Sequence, residues 1–159
     1  MIFVTLGTQD KLFVRLLQMI EIAIETGTIK DEVIVQAGHT VYNTSKMMVF
    51  DYIDIEEFND YLDKADYIIS HAGVGSILSA IKLRKKIIVC PRRKEHHEHT
   101  NDHQLEISRK FATEGYVMVS ENEEQLIQCI KDISKFTPRI YKSNAEIFMN
   151  AVADFIENN

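Results

Sequence analysis

Two cysteines, Cys90 and Cys129, are too few to build a disulfide framework in a chain of 159 residues. Cys90 closes an apolar run and Cys129 falls on a predicted helix face, so both read as small core residues and suit a reducing compartment. A cationic excess is also missing: 18 Lys and Arg against 24 Asp and Glu leave a formal charge of −6. That balance argues against indiscriminate binding to nucleic acid, which is driven by neutralising phosphates. No apolar run approaches the ~20 residues needed to cross a bilayer, and Met1 opens directly into a predicted strand with no basic leader. Work at a membrane would therefore need something else to bring the chain there. Internal repeats, low-complexity tracts and linkers are lacking too, so one domain over residues 1–159 is expected.

What is present reads as alternating strands and helices. Hydrophobic residues at 45% with 26% charged exclude a disordered chain. Ile2 to Leu6 is a first strand, and Gly7-Thr8-Gln9-Asp10 is a turn that could cap the next helix and bind an anion. Phe13, Leu16, Leu17, Ile20 and Ile24 form a helical stripe that stops at Gly27. Strands follow at Glu32 to Gln36 and Met48 to Phe50, and Phe58, Leu62 and Ala65 mark a short helix. Ile87 to Cys90 is a buried strand ended by Pro91. Beyond it come a helix from Thr100 to Thr113, a strand from Tyr116 to Val119 and a helix from Glu123 to Ile133. The terminal stretch, about 142–157, is strongly amphipathic through Ile147, Phe148, Ala151, Val152, Phe155 and Ile156. The pattern predicts an α/β fold: a Rossmann-like parallel sheet of about six strands with helices on both faces. In such sheets ligands bind beyond the carboxyl ends of the strands, which puts Thr8, Gly38, Ile53, Gly73 and Arg92 on one rim.

The stretch from Tyr67 to Ser76 is the chemical centre of the chain. Ala65 to Ile69 has the apolar look of a strand buried on both faces, and Ile77, Leu78 and Ile81 begin a helical pattern. Between them lies Ser70-His71-Ala72-Gly73-Val74-Gly75-Ser76. Gly73 and Gly75 can take positive φ and let a ligand approach the backbone, while Ser76 can cap the helix or donate its hydroxyl. The first N–H groups of the helix then make a seat for a diphosphate. The third glycine of the dinucleotide fingerprint is missing, and the turn follows an internal strand. His71, just before the turn, could touch a phosphate or act as acid or base near neutral pH.

Other polar residues carry weaker signals. His96, His97, His99 and His103 cluster, but their spacing falls short of a zinc motif and no metal is expected. His103 and Gln104 open a predicted helix at the rim, where they could meet a polar ligand such as a sugar. Arg84-Lys85-Lys86 and Arg92-Arg93-Lys94 bracket the fifth strand, so Arg92 and Arg93 could contact phosphate or a membrane surface. No Ser-His-Asp or Cys-His arrangement and no spaced carboxylate pair emerges, so a catalytic set is not visible.

With those residues laid out, the chain resembles the donor-binding half of GT-B glycosyltransferases, the family 28 C-terminal domain. It is most similar to soluble subunits of two-piece transferases: the eukaryotic dolichol-linked N-acetylglucosamine type and bacterial exopolysaccharide and capsule subunits of the PssE type. The matching segments are Ile2 to Thr8, Ser70 to Leu78, and the run from Pro91-Arg92 through Asn101-Asp102-His103-Gln104-Leu105-Glu106-Ile107.

The resemblance implies transfer of a sugar, with inversion, from a UDP-sugar to a lipid-linked acceptor, with no cofactor. Gly73, Val74, Gly75 and Ser76 would hold the diphosphate, with His71 nearby. The Ile53 backbone would meet uracil, Gly7 and Thr8 would line the cleft, and His103 with Gln104 would contact the donor sugar. Ser79 stands where the family often has a ribose-binding glutamate, and Arg84-Lys85-Lys86 replaces its Gly-Lys-Pro. The acceptor site and general base would belong to a membrane-anchored partner of the PssD type, which would recruit this cytoplasmic chain to the inner face of the plasma membrane. Phe148, Val152 and Phe155 of the terminal stretch are the candidate docking residues. The alternatives are a nucleotide-sugar-binding regulatory subunit and an enzyme related to UDP-sugar epimerases.

Overall fold

A computed structural model describes residues 1–141. Its six strands are β1 (Ile2–Thr5), β2 (Val33–Gln36), β3 (Met48–Phe50), β4 (Tyr67–His71), β5 (Ile87–Cys90) and β6 (Met118–Val119). They form one sheet in the order β3-β2-β1-β4-β5-β6, and every pairing is parallel. The helices are α1 (Val14–Glu25), α2 (Ile55–Lys64), α3 (Val74–Lys82), α4 (His103–Thr113) and α5 (Glu123–Asp132).

Strand residues alternate between two apolar layers, as the period of two requires. Ile2, Val4, Ile69, Ile88 and Cys90 face α1 and α5, where Leu16, Leu17, Ile20, Leu126 and Ile130 are buried. Phe3, Ile68, Ile87 and Val89 face the opposite layer with Leu62 of α2, Ile77 and Ile81 of α3, and Ile107 and Phe111 of α4. Both faces are thus covered, which explains why β1, β4 and β5 read as continuous apolar runs. Phe3 carries α2 through an edge contact with Phe58 at 5.3 Å and a stacked contact with Tyr61 at 5.5 Å. Cys90 and Cys129 are both buried and free. No helix among the described residues is long and apolar enough to cross a membrane.

Several expected boundaries move, each for a local reason. The central strand is Tyr67–His71 because Ala65 closes α2 and the Asp66 N–H already donates to the Met1 carbonyl. Helix α1 is preceded by Phe13, whose N–H donates to the Thr40 hydroxyl, so Asp10 does not cap it. Helix α4 begins at His103, after the Asn101 side chain takes its N–H, not at Thr100. Tyr116 bonds back to Phe111 at the end of α4, which shortens β6. The expected terminal helix, with Phe148, Val152 and Phe155, lies outside the described residues.

Arg84, where the resemblance leads one to expect glycine, sits at φ +56° in the left-handed region. A side chain there costs ~1–2 kcal/mol, partly offset by the greater freedom that glycine has when unfolded. Arg84→Gly should therefore raise stability by roughly 0.5–1 kcal/mol in urea unfolding; a drop would show that the Arg84 side chain makes compensating contacts.

Candidate functional site at the switch point of the sheet

Strand order reverses between β1 and β4, and the chain leaves these neighbours toward opposite ends of the sheet. The loops that follow them open a crevice at their carboxyl ends. A cleft of about 420 Å³ lies there, lined by Thr5, Gly7, Thr8, Gln36, Tyr52, Ile53, Ile55, Phe58, His71, Gly73, Gly75 and Ser76. One end is the glycine turn of α3, and the other is an apolar shelf from the β3–α2 loop.

Helix α3 starts earlier than its sequence suggests. Gly73 is its N-cap and no side chain caps it, whereas Asp54 and Asn122 cap α2 and α5 by accepting from the N–H groups of Glu57 and Gln125. Gly75 and Ser76 belong to the first turn, so Ser76 is not the cap. Neither Gly73 nor Gly75 has positive φ, contrary to expectation; Gly7 and Gly38 do, at +75° and +59°. The glycines of the turn serve close approach instead. A Cβ on Gly73 would lie 2.2 Å from His71 Nε2, while one on Gly75 meets nothing within 4 Å and would project into the cleft. The first N–H groups of α3, which have no partner inside the helix, therefore border open space at the positive end of its dipole.

His71 ties the two loops together. A Cβ on Gly7 would lie 2.4 Å from the same Nε2, so one imidazole fills the room that side chains at Gly7 and Gly73 would need. Its Nδ1 lies 3.3 Å from the Thr5 carbonyl, an acceptor only, which places the proton on Nδ1 and leaves Nε2 an acceptor. Burial pushes its pKa down to about 4, partly opposed by the Thr5 carbonyl and aided by the charge of Arg92. At neutral pH it is an uncharged spacer facing the cleft.

Gly7, Thr8, Ile53, His71, Gly73, Gly75 and Ser76 thus share one cleft. Val74 packs toward the core and Ser79 lies one turn beyond Ser76; neither lines it. Gln104 is turned into the fold, 6% exposed, with its Oε1 accepting from the Arg92 N–H. His103 faces Glu106 across 3.5 Å. The expected surface position of Arg92 is corrected. Arg92 is 1% exposed and donates to main-chain carbonyls, while Arg93 is ion-paired with Glu95 and Glu121. His99 lies against Gln9, and among the described residues no group of three or more His, Cys, Asp or Glu could hold a metal.

Thr5, Gln36, Tyr52, Ile55 and Phe58 also line the cleft and are not among the site residues expected from the sequence. Thr5 and Gln36 are polar residues ending apolar strands, a signal that sequence alone could supply. A larger groove of about 610 Å³ runs between α1 and the start of α5, but Glu21, Glu25, Glu121 and Glu123 line it and outweigh Arg15. That charge repels a phosphate, so the smaller cleft is the better anion site.

Fold and cleft define a doubly wound α/β domain with a helix N-terminus and two glycine loops at its switch point, the architecture of the C-terminal half of GT-B glycosyltransferases. The chain belongs to the family of the glycosyltransferase family 28 C-terminal domain, whose model matches residues 1–158. It is 25% identical over 116 residues to UDP-N-acetylglucosamine transferase subunit ALG13 of Debaryomyces hansenii, covering 73% of this chain and 54% of that protein. It is 40% identical over 78 residues to the UDP-N-acetylglucosamine–N-acetylmuramyl-(pentapeptide) pyrophosphoryl-undecaprenol N-acetylglucosamine transferase of Clostridium botulinum, covering 49% of this chain and 20% of that enzyme. The chain therefore spans about half, and about a fifth, of these two relatives. The solution structure of ALG13 superposes with a TM-score of 0.62 at 23% identity, covering 98% of this chain and 96% of that one, a likeness of fold.

Two measurements check this geometry. Gly75→Ala should keep or raise stability, by roughly 0.5 kcal/mol from helix propensity, while weakening ligand binding because its methyl enters the cleft; unchanged affinity would place the ligand elsewhere. His71, buried neutral, binds a proton less readily folded than unfolded, so its contribution is lost as pH falls from about 6.5 to about 4. In urea unfolding, the stability gap between wild type and His71→Gln should narrow by up to about 3 kcal/mol across that window. A constant gap would contradict the buried neutral state.

Proposed function

We propose that this chain is the donor-binding part of a two-component inverting glycosyltransferase that moves a sugar from a UDP-sugar to a lipid-linked acceptor. The observation that carries this reading is the uncapped start of α3 facing open space between two glycine loops, within a family 28 domain. The diphosphate sits on the N–H groups of Val74, Gly75 and Ser76, with Gly7 and Thr8 opposite, and uracil lies toward Ile53 on the shelf of Tyr52, Ile55 and Phe58. As the sugar leaves, charge gathers on the β-phosphate, and fixed N–H dipoles stabilise it with no metal required. Ser79 reaches the ribose edge only if the nucleotide extends a turn along α3. His103, at the start of α4, remains the candidate donor-sugar contact, and Gln104 supports it from within.

The acceptor site and general base belong to a membrane-anchored partner of the PssD type, which brings this chain to the inner face of the plasma membrane for exopolysaccharide or capsule synthesis. The relatives named as transferase subunits support a divided enzyme. Among the described residues no carboxylate lines the cleft and its imidazole, His71, is a poor base, so a base from elsewhere fits the chemistry. Residues 142–159 are the proposed docking segment.

The test is reconstitution with the membrane-anchored subunit and a panel of UDP-sugars. The pair should transfer one sugar to lipid acceptor while neither part alone does, and removal of residues 142–159 should abolish co-purification. Transfer-free conversion of the UDP-sugar to its epimer, or transfer unaffected by Gly75→Ala, would overturn the assignment.

A further inference from the structure

Arg92 is the largest fully buried side chain among the described residues, 1% exposed at the carboxyl end of β5. It forms no ion pair among them. One Nη donates to the Lys11 carbonyl at 2.7 Å and to the Glu98 carbonyl at 3.4 Å, and the other donates to the Leu6 carbonyl at 2.9 Å. Leu6 and Lys11 are the two ends of the loop carrying Gly7 and Thr8. A planar guanidinium can span such a pair of carbonyls because its donors are fixed in a fork. Its position is itself fixed: the guanidinium carbon lies 4.8 Å from the centre of the Phe13 ring, and the Arg92 N–H donates to Gln104 Oε1.

No carboxylate among the described residues bonds to the guanidinium, and Asp10 of the same loop acts on it only through its charge. The Glu98 carboxylate attracts Arg92, yet it is held by Arg15 through two bonds of 2.8 Å and by the Arg93 N–H. Burial lowers the Arg92 pKa to about 10, which still leaves it protonated at neutral pH. The same charge acts on His71, which lines the cleft. Its Nε has no hydrogen-bond partner among the described residues, and a buried cation held only by carbonyls at its two Nη atoms is costly unless an anion approaches.

We propose that Arg92 is a positioning residue for a nucleoside diphosphate: it pins both ends of the Gly7–Lys11 loop and sets a permanent positive charge behind the phosphate seat without touching the ligand. This rests on the reading of the cleft as a UDP site. Uridine, which lacks the phosphates, gains little from either effect, so Arg92 sets the preference for UDP over uridine. A purely architectural arginine would alter stability and leave that preference alone.

The experiment is calorimetric titration of the full chain with UDP and with uridine, in wild type, Arg92→Gln, Arg92→Lys and a control, Lys86→Met. Lys86 Nζ donates to the Ile133 and Ser134 carbonyls at the end of α5, away from the cleft. Arg92→Gln should weaken UDP about 10–30-fold and Arg92→Lys about 3–5-fold, with uridine changed less than about 2-fold. Lys86→Met should lower the melting temperature and keep the wild-type ratio. Either folded Arg92 variant with the wild-type ratio overturns this proposal alone, and if Arg92→Gln does not fold, Arg92→Lys decides. A wild-type chain that binds neither compound, or both equally, overturns the UDP reading and this proposal with it.

Discussion

One imidazole sets the spacing of the whole site. His71 stands at the end of β4, and its Nε2 occupies the room that a Cβ at Gly7 or Gly73 would need. Both loops must therefore be glycine where they touch it, and both are drawn in until their backbones face one another across the cleft. The neighbouring strands make this possible: β1 and β4 are paired in register, with Thr5 opposite Ser70, so their exits adjoin. Gly38 adds a third constraint from β2, since a Cβ there would lie 2.4 Å from the Gly7 carbonyl oxygen. Three loops are packed backbone to backbone, and the start of α3, which no side chain caps, faces the space between them.

That packing supports the proposal that a domain with net charge −6 binds a diphosphate. The attraction does not come from surface cations. In the proposed site it comes from the dipole of α3 and from an arginine sunk beneath the β1 loop, whose burial shields its charge from solvent as exposed lysines are not shielded. The acidic groove between α1 and α5 points the same way by contrast, because its volume is greater but its carboxylates oppose an anion. Charge sign and backbone geometry, more than cavity size, identify the site.

Much of the architecture was legible in the sequence because a two-faced parallel sheet writes itself as short apolar runs. Ile2 to Leu6 and Ile87 to Cys90 read as buried strands, and their alternation between two buried layers is why neither face shows a polar residue before Thr5 at the end of β1. The family resemblance rests on Ile2 to Thr8, Ser70 to Leu78 and the run from Pro91 to Ile107, and the family model matching residues 1–158 agrees with it. Conformation within that motif was less legible. Gly73 and Gly75 suggested positive φ, yet what the structure needs from Gly73 is the absence of a Cβ beside His71, a tertiary contact that no local pattern encodes. Arg92 misled for a similar reason. In a run of basic and histidine residues it reads as surface, and only the approach of Leu6 and Lys11, more than 80 residues earlier, makes it a core residue. Tyr52 and Ile55 went unremarked because exposed apolar residues near a helix start are common, and their value lies in the shelf they form with Phe58.

The most direct measurement is the change in backbone amide resonances of the chain as UDP is added. If the seat is the start of α3 between two glycine loops, the amides of Gly7, Thr8, Ile53 and of residues 73–76 should shift together and saturate along one binding curve. Shifts confined to α1 and the start of α5, with the glycine loops unmoved, would contradict the account.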